Sequence, residues 1–166
     1  MTKDAHCSYC GQAFAPEQAW PRTCPRCGNV SYRNPLPVTV VLVPVGDGLL
    51  LIRRTIPPHE GSLALPGGFI NLGESWQEAG AREVREETGL TIDPEGVRLY
   101  DVQSAPDGTV LIFGLARPLA AADVPPFVAN NETSETVVAT EPVELGFPLH
   151  ARVADRFWRE KRGSAG

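Results

Sequence analysis

The sequence predicts an α+β domain, arranged as an α/β/α sandwich around a mixed sheet and preceded by a small cysteine-rich segment. Two observations lead to this prediction. Short apolar runs typical of strands fill most of the chain after residue 36, with helix signals only in the middle and at the end. All four cysteines fall within the first 27 residues. We therefore expect two domains, at residues 1–34 and 36–162.

The cysteine-rich segment contains two C-x2-C pairs, each followed by glycine: Cys7, Cys10, Cys24 and Cys27. Such a turn presents two thiolates from one loop, and four thiolates at one point suit tetrahedral zinc. Glycine permits the positive φ that the turn often requires. Two disulfides or a redox pair are the alternatives, but disulfides need an oxidising compartment. The segment resembles a zinc ribbon, so we expect a structural Zn²⁺.

The overall composition excludes several classes of protein. Hydrophobic residues make up 42% and charged residues 21% of the 166, as is typical of globular domains. The sequence has no apolar run long enough to span a membrane, and its first residues, MTKDAHCSYC, have no apolar signal region, so we expect a cytoplasmic protein. A net charge of −5 argues against nucleic acid or a membrane as partner.

The strands are predicted from apolar runs and the turns between them. The runs 38–45 and 48–54 flank an Asp-Gly turn and predict a hairpin. Residues 63–69 predict a short strand that Pro66, Gly67 and Gly68 interrupt. Further strands are expected at 97–105, 108–119 and 133–140, and a basic helix at 149–162.

The middle helix is predicted from its end signals. Ser75 and Glu78 have the spacing of a capping box, and Gly89 stands where a left-handed residue ends helices. Within this helix, three glutamates, Glu83, Glu86 and Glu87, share one sector when projected at about 100° per residue. That sector borders the apolar face, whereas the neighbouring arginines Arg82 and Arg85 project to the opposite side.

Crowded carboxylates on one helix repel one another. Beside an apolar face they are costly unless they are paired or bind a metal ion. A solvated acidic face balanced by the arginines is the alternative interpretation. Several oxygen ligands on one short surface suit hard divalent ions such as Mg²⁺ or Mn²⁺, which bridge carboxylates to phosphates. The neighbouring glycines match neither a Walker loop nor the dinucleotide fingerprint.

The pattern G-x5-E-x7-R-E-U-x-E-E-x-G-U, where U is aliphatic, is matched at every fixed position from Gly68 to Leu90. It is the Nudix box, and the chain resembles the Nudix hydrolases over about residues 36–162. The resemblance implies a Nudix-like sandwich that uses Mg²⁺ or Mn²⁺ to hydrolyse the diphosphate linkage of a nucleoside diphosphate derivative, releasing a nucleoside monophosphate.

The resemblance also implies roles for individual residues. Glu83, Glu86 and Glu87 would be metal ligands, with Glu74 as a supporting or additional ligand. Arg82 would orient the glutamates through an ion pair, and Gly68 would provide a backbone ligand or the loop geometry. For the base that activates water, our first candidate is Glu135, which opens a strand that could return to the site. Glu132 is the second candidate, and a solvated loop position is the alternative for both.

A zinc ribbon before a Nudix domain is similar to that of the NADH pyrophosphatases, although the chain lacks the aromatic motif that those enzymes carry after the box. Pro106, sixteen residues after Leu90, is similar to a proline of ADP-ribose-cleaving members. We therefore expect ADP-ribose, a nucleotide sugar or an NAD-like compound as the small-molecule substrate. An enzyme that removes oxidised nucleotides, or a nucleotide-sensing or protein-binding module that uses the ribbon, is the alternative. A homodimer is compatible with either.

Several side chains outside the box are candidates for holding the substrate. Aromatic residues could stack on its base, namely Tyr32, Phe113, Phe127 and Phe147. Basic residues flanking the loop before the box could meet its phosphates, namely Arg53, Arg54 and His59. Core packing for the first group and surface solvation for the second are the alternatives.

Overall fold

The computed structural model describes residues 3–163, which form two compact units, one ending at Pro35 and the other beginning at Leu36. In the first unit, strands β1 (Arg22–Thr23) and β2 (Val30–Ser31) pair antiparallel. Two similar turns hold the cysteine pairs. In one the Gly11 amide donates to the Cys7 carbonyl at 3.0 Å, and in the other the Gly28 amide donates to the Cys24 carbonyl, also at 3.0 Å.

Both of these glycines have the positive φ expected from the sequence, 74° at Gly11 and 72° at Gly28. A side chain at either position would be strained in this conformation. The two C-x2-C pairs therefore occupy equivalent turns, and each turn presents its two sulfurs on the same side of the unit.

The second unit contains two four-stranded sheets and two helices. The strands are β3 (Leu36–Leu42), β4 (Pro44–Val45), β5 (Gly48–Arg54), β6 (Leu63–Ala64), β7 (Gly67–Phe69), β8 (Arg98–Ser104), β9 (Thr109–Leu115) and β10 (Thr133–Ala139). One sheet has the order β10-β5-β4, with β6 also paired to β5, and the other has the order β7-β3-β9-β8. The pair β3–β9 is parallel, so the second sheet is mixed. The helices are α1 (Trp76–Thr88) and α2 (Pro148–Gly163).

Helices α1 and α2 pack on opposite sides of the strands. Along β3, Val40 and Leu42 join a buried cluster that includes Phe157 of α2, whereas Val41 joins a second buried cluster that includes Val84 of α1. Because successive strand residues face opposite sides, one apolar strand supplies both clusters. The α/β/α sandwich with a mixed sheet is confirmed.

The predicted hairpin between residues 38–45 and 48–54 is only partly correct. Antiparallel pairing covers Pro44 with Leu49 and Val45 with Gly48. Before that point the chain leaves this sheet, and β3 pairs with β7 and β9 instead. The physical reason is that β3 is apolar on both faces, as a central strand must be, and that Pro44 has no amide hydrogen to extend the ladder.

Helix α1 begins and ends as predicted. The Ser75 hydroxyl accepts from the Glu78 amide at 3.2 Å, and the Glu78 carboxylate accepts from the Ser75 amide at 2.7 Å. Gly89 ends the helix with φ 75°. At Gly80 a Cβ atom would lie 2.8 Å from Val41 Cγ2, so the glycine allows the helix to approach β3 closely. No helix in residues 3–163 is both long and apolar enough to cross a membrane.

Candidate active site

Strand β7 and helix α1 bring the acidic residues together. The Gly67 amide donates to the Glu87 carboxylate at 2.8 Å. Next to it, a Cβ atom on Gly68 would lie only 2.5 Å from the carboxyl carbon of Glu83. The two glycines therefore let the backbone of β7 lie directly against the carboxylates of α1, an approach that larger residues would block.

Arg82 organises three of the acids. Its guanidinium donates to both carboxylate oxygens of Glu74, at 2.8 and 3.1 Å. The same group donates to Glu83 at 2.7 Å, to Glu86 at 3.2 Å and to the Phe69 carbonyl at 3.0 Å. Helical projection directs Arg82 away from the acidic sector, with the alternative that its long side chain curls back, and the contacts show the latter.

The pKa values of Glu74, Glu83 and Glu87 are shifted in different directions because their surroundings differ. Burial raises the pKa of Glu87 to about 8, and it also raises that of Glu83. The hydrogen bonds from Arg82 instead lower the pKa of Glu74 to about 2. Two buried carboxylates thus lack enough positive charge in the protein to stay ionised without cost.

The arrangement fits a hard divalent cation. The carboxylates of Glu83, Glu86 and Glu87 are oxygen donors of the kind that Mg²⁺ and Mn²⁺ prefer. A cation beside them would supply the positive charge that the buried pair lacks. Because Gly68 has no side chain, its backbone lies directly beside the Glu83 carboxylate, which is buried and accepts from Arg82. The site is therefore suited to hold metal ions between α1 and β7.

The loop before β10 lies close to this cluster. The Asn130 side chain donates to the Glu86 carbonyl at 2.9 Å and accepts from the amides of Glu132 and Thr133, each at 2.9 Å. Burial is the largest cause of the raised pKa values of Glu83 and Glu87, and the negative charge of Glu132 is a smaller one. Asn130 therefore fastens the loop to the C-terminal end of α1 and holds Glu132 near the acids.

Glu135 has different surroundings. It stands opposite Arg53 in the β10–β5 pair, and the two side chains form a hydrogen-bonded ion pair on the surface. Arg53 also donates to the Gly61 carbonyl at 2.9 Å. Glu135 is therefore engaged by Arg53, which is itself fixed to the loop after β5.

A cavity of about 640 Å³ adjoins the acidic cluster, and all three residues of β7 line it. Its wall is largely apolar, with Arg54, Arg152 and Asp107 among the few charged side chains. A pocket of this size suits a small-molecule ligand. The same short strand thus touches the carboxylates on one side and the cavity on the other.

Only some of the residues predicted to hold the substrate line the cavity. Phe147, Arg54 and His59 line the cavity, as does Pro106. Phe113 belongs to the buried core. The remaining candidates are not among the cavity residues, namely Phe127, Arg53 and Tyr32, the last of which lies in the first unit.

His150 is a cavity residue that the sequence analysis missed. It is 7% exposed, and its Nδ1 atom has no hydrogen-bond partner within residues 3–163. Its ring lies 4.8 Å from that of Phe147 and 5.8 Å from that of Phe113. Burial lowers the pKa of His150 to about 3, with a contribution from Arg54. From the sequence alone, a histidine on the apolar face of a C-terminal helix is expected to pack in the core. Its position in the cavity wall can be seen only in the folded structure.

The four cysteines form a second site in the first unit. Their sulfurs all lie within 4.8 Å of one another, with Cys7 and Cys27 3.7 Å apart and Cys10 and Cys24 3.6 Å apart. Zinc–sulfur bonds of about 2.3 Å in a tetrahedron place sulfurs about 3.8 Å apart. All four are free cysteines rather than disulfides. The cluster is therefore shaped to bind one metal ion.

The chain is similar in sequence to a known domain family and to characterised proteins. The NUDIX domain family matches residues 34–157. An ADP-ribose pyrophosphatase of Methanocaldococcus jannaschii is 41% identical over 76 residues, which cover 46% of this chain and 44% of that protein. An NAD-capped RNA hydrolase NudC of Edwardsiella ictaluri is 30% identical over 119 residues, covering 71% of this chain and 45% of that protein. The chain thus spans less than half the length of these curated relatives.

A solved structure is similar over nearly the whole chain. The crystal structure of a NUDIX hydrolase from Nitrosomonas europaea matches with a TM-score of 0.78 and 27% sequence identity. The match covers 95% of this chain and 92% of that one. The similarity therefore includes residues before the NUDIX domain as well as the domain itself.

We predict that His150 makes the protein sensitive to acid. Its pKa is about 3 in the folded state and 6.5 ordinarily, so below pH 6.5 the unfolded chain binds a proton that the folded protein excludes. Stability that is present above pH 6.5 should be lost as the pH falls toward 3, by up to about 1.4 kcal/mol per pH unit.

Urea unfolding between pH 4.5 and 7.5 measures this effect. A His150→Phe variant loses the histidine's contribution to the pH dependence of the free energy of unfolding. The carboxylates contribute equally to both proteins, so their effect cancels in the difference between variant and wild type. A stability difference between the two proteins that does not change with pH would contradict the prediction.

Proposed function

The chain belongs to the NUDIX domain family, and we propose that it hydrolyses the diphosphate linkage of a nucleoside diphosphate derivative, releasing a nucleoside monophosphate. ADP-ribose, a nucleotide sugar or an NAD-like compound would be the substrate. One observation carries the proposal: β7 touches the acidic cluster through Gly67 and Gly68 and also lines the cavity. A nucleoside in the cavity would place its diphosphate beside the carboxylates.

The acidic residues would hold the cations. Glu83, Glu86 and Glu87 would ligate Mg²⁺ or Mn²⁺, with Glu74 supporting them and the backbone of Gly68 close by. When bound, such an ion would neutralise phosphate charge and, by polarising a phosphoryl oxygen, make the phosphorus atom more electrophilic toward water. Arg82 holds the carboxylates of Glu74, Glu83 and Glu86 around one guanidinium, so less conformational freedom is lost when the ions and substrate bind.

A carboxylate must also accept the proton of the attacking water. Of the two candidates, the contacts favour Glu132, since Asn130 holds its loop against α1 and its charge is felt by Glu83 and Glu87. Glu135, the first candidate from the sequence, remains a prediction, although its ion pair with Arg53 favours a structural role.

For the cysteine cluster we propose a structural Zn²⁺. The four-sulfur geometry closes the coordination shell and leaves no position for a substrate. The first unit offers little apolar surface for a core of its own, with Cys7, Phe14 and Cys24 as its buried cluster. Metal binding would therefore supply much of its folding free energy. Thiolates persist in a reducing compartment, which agrees with the expected cytoplasmic location.

We predict that the protein converts ADP-ribose or a related compound to a nucleoside monophosphate when Mg²⁺ or Mn²⁺ is present. Replacing Glu86 or Glu87 with glutamine removes a cation-binding charge and should lower kcat by about 100-fold or more. Product identification across a substrate panel, with Mn²⁺ binding measured separately, checks both points. The exposed Glu95→Gln change on the following turn is a matched control that should retain activity.

Absence of turnover by the wild-type protein on the whole panel would contradict the proposal. Tight nucleotide binding without cleavage would instead support the nucleotide-sensing alternative.

We predict that Glu132→Gln lowers kcat by about 100-fold or more, as expected on removal of a general base. Glu135→Gln, three residues away, should lower it by less than about threefold, since that side chain pairs with Arg53. Steady-state kinetics of the two variants with one substrate compare the candidates directly. The reverse order of effects would assign the base to Glu135.

We predict about one tightly bound zinc ion per chain. Elemental analysis of the purified protein measures it, and Cys24→Ser should lose the metal and the fold of the first unit because one thiolate is missing. The matched control is His6→Gln. Imidazole can bind metals and His6 lies next to Cys7, but it is not part of the cluster, so this variant should keep the zinc. Protein without zinc would refute the assignment.

A further inference from the structure

Arg54 is a cation of the cavity wall that has no carboxylate partner. It is the last residue of β5, it is half-buried, and within residues 3–163 it forms no ion pair. The preceding residue, Arg53, pairs with Glu135 instead. A guanidinium without a counter-ion in a cavity wall is suited to bind an anionic group of a ligand.

The loop after β5 holds this guanidinium in place. Its Nε atom donates to the Pro58 carbonyl at 3.0 Å and its Nη2 atom to the Ile56 carbonyl at 3.3 Å, while its central carbon lies 5.2 Å from the centre of the Phe147 ring. Within residues 3–163 the Nη1 atom has no hydrogen-bond partner, and unlike the Nδ1 atom of His150 it is accessible to solvent. A ligand can therefore reach donors that are already oriented, and little conformational freedom is lost on binding.

Arg54 is close to the acidic cluster as well as to the cavity. Gly67 lines the same cavity, and its amide donates to the Glu87 carboxylate at 2.8 Å. Burial has the largest influence on the pKa of Glu87 and raises it, whereas the positive charge of Arg54 is a smaller influence that lowers it. The two charges are therefore near enough to interact without forming an ion pair. A phosphate in this region would contact metal ions on one side and the guanidinium on the other.

We propose that Arg54 binds the diphosphate of the substrate from the cavity side, so that the group attached to that phosphate occupies the cavity. The inference rests on the proposed diphosphohydrolase function and adds a substrate-binding residue to it. The metal ions would hold the diphosphate beside α1 and β7, and the guanidinium would donate to a non-bridging phosphate oxygen. Arg54 therefore serves substrate affinity rather than the chemical step.

The other charged groups of the cavity wall also favour an anionic ligand. Arg152 of α2 is a second cation of the lining. Asp107 is the carboxylate among the lining residues, and its Oδ1 atom already accepts from the amide and the hydroxyl of Thr109, at 3.0 and 2.8 Å. Two arginines thus stand against one carboxylate, and a phosphate-bearing group is attracted rather than repelled.

Binding of a non-hydrolysable ADP-ribose analogue to the full chain in the presence of Mn²⁺ tests the proposal without any need for catalysis. Arg54→Gln should weaken binding at least about tenfold, as expected for the loss of a charge-assisted hydrogen bond. The matched control is Arg98→Gln, which removes the same charge from an exposed position on β8 outside the cavity and should change the affinity by less than about twofold. Wild-type affinity in Arg54→Gln, measured by calorimetry, would overturn the proposal.

Further measurements separate substrate binding from a structural role of Arg54 in its loop. Mn²⁺ binding in the absence of nucleotide should be the same in Arg54→Gln and wild type. Arg54→Lys keeps the charge but not the planar fork, so it should recover part of the affinity for the analogue. With ADP-ribose as substrate, Arg54→Gln should raise KM by about the same factor as it weakens the analogue, with little change in kcat. An equal loss of Mn²⁺ binding and of analogue binding would show a structural role and contradict the proposal.

A chemical measurement on the unaltered protein covers the case in which the variants do not fold. Phenylglyoxal modifies accessible arginine side chains, and mass spectrometry of the resulting peptides locates each modified residue. The analogue at saturation should protect Arg54 from modification and leave Arg98 reactive. Equal modification of Arg54 with and without the analogue would contradict the proposal.

The two proposals fail separately. A protein that binds the analogue through Arg54 but cleaves no substrate would refute the hydrolase function alone. A protein that hydrolyses ADP-ribose with the same KM in wild type and Arg54→Gln would refute the role of Arg54 alone.

Discussion

The guanidinium of Arg82 is the interaction on which the site depends. It donates to Glu74, Glu83 and Glu86 and to the carbonyl of Phe69, and so it ties three acids of the loop and helix to β7. With Glu87, which accepts from the Gly67 amide instead, the acids number four against this one guanidinium, which leaves three negative charges when all are ionised. The arginine therefore gathers the acids without neutralising them, and this excess charge makes the place suitable for divalent cations.

Strand β7 connects this charge to the rest of the molecule. A Cβ atom on Gly68 would collide with the Glu83 carboxylate, and one on Gly67 would collide with the backbone of β3. The next residue, Phe69, turns its carbonyl to Arg82 and also lines the cavity. Three consecutive residues thus contact the acidic cluster and the cavity together. The sandwich holds the strand in place by pairing it with β3, whose residues reach the buried clusters of both helices. The fold therefore explains why charge and cavity meet at one edge.

Local signals in the sequence predicted local structure well. The capping box at Ser75, the glycine turns beside the cysteines and the placement of the acids next to the apolar face all depend on residues a few positions apart. The failures involve distance along the chain or side-chain reach. Helical projection fixes where Arg82 leaves the backbone but not where its long side chain ends. The proximity of Glu132 depends on the Asn130 contact with α1, and the cavity around His150 depends on residues from five parts of the chain.

A crystal grown with Mn²⁺ and a non-hydrolysable ADP-ribose analogue tests the central claim most directly, because the anomalous signal of manganese locates the ions independently of any activity. The account predicts anomalous peaks within about 2.5 Å of the carboxylate oxygens of Glu83, Glu86 and Glu87, with the diphosphate beside β7. A structure with no manganese between α1 and β7, and with the analogue bound elsewhere, would contradict it.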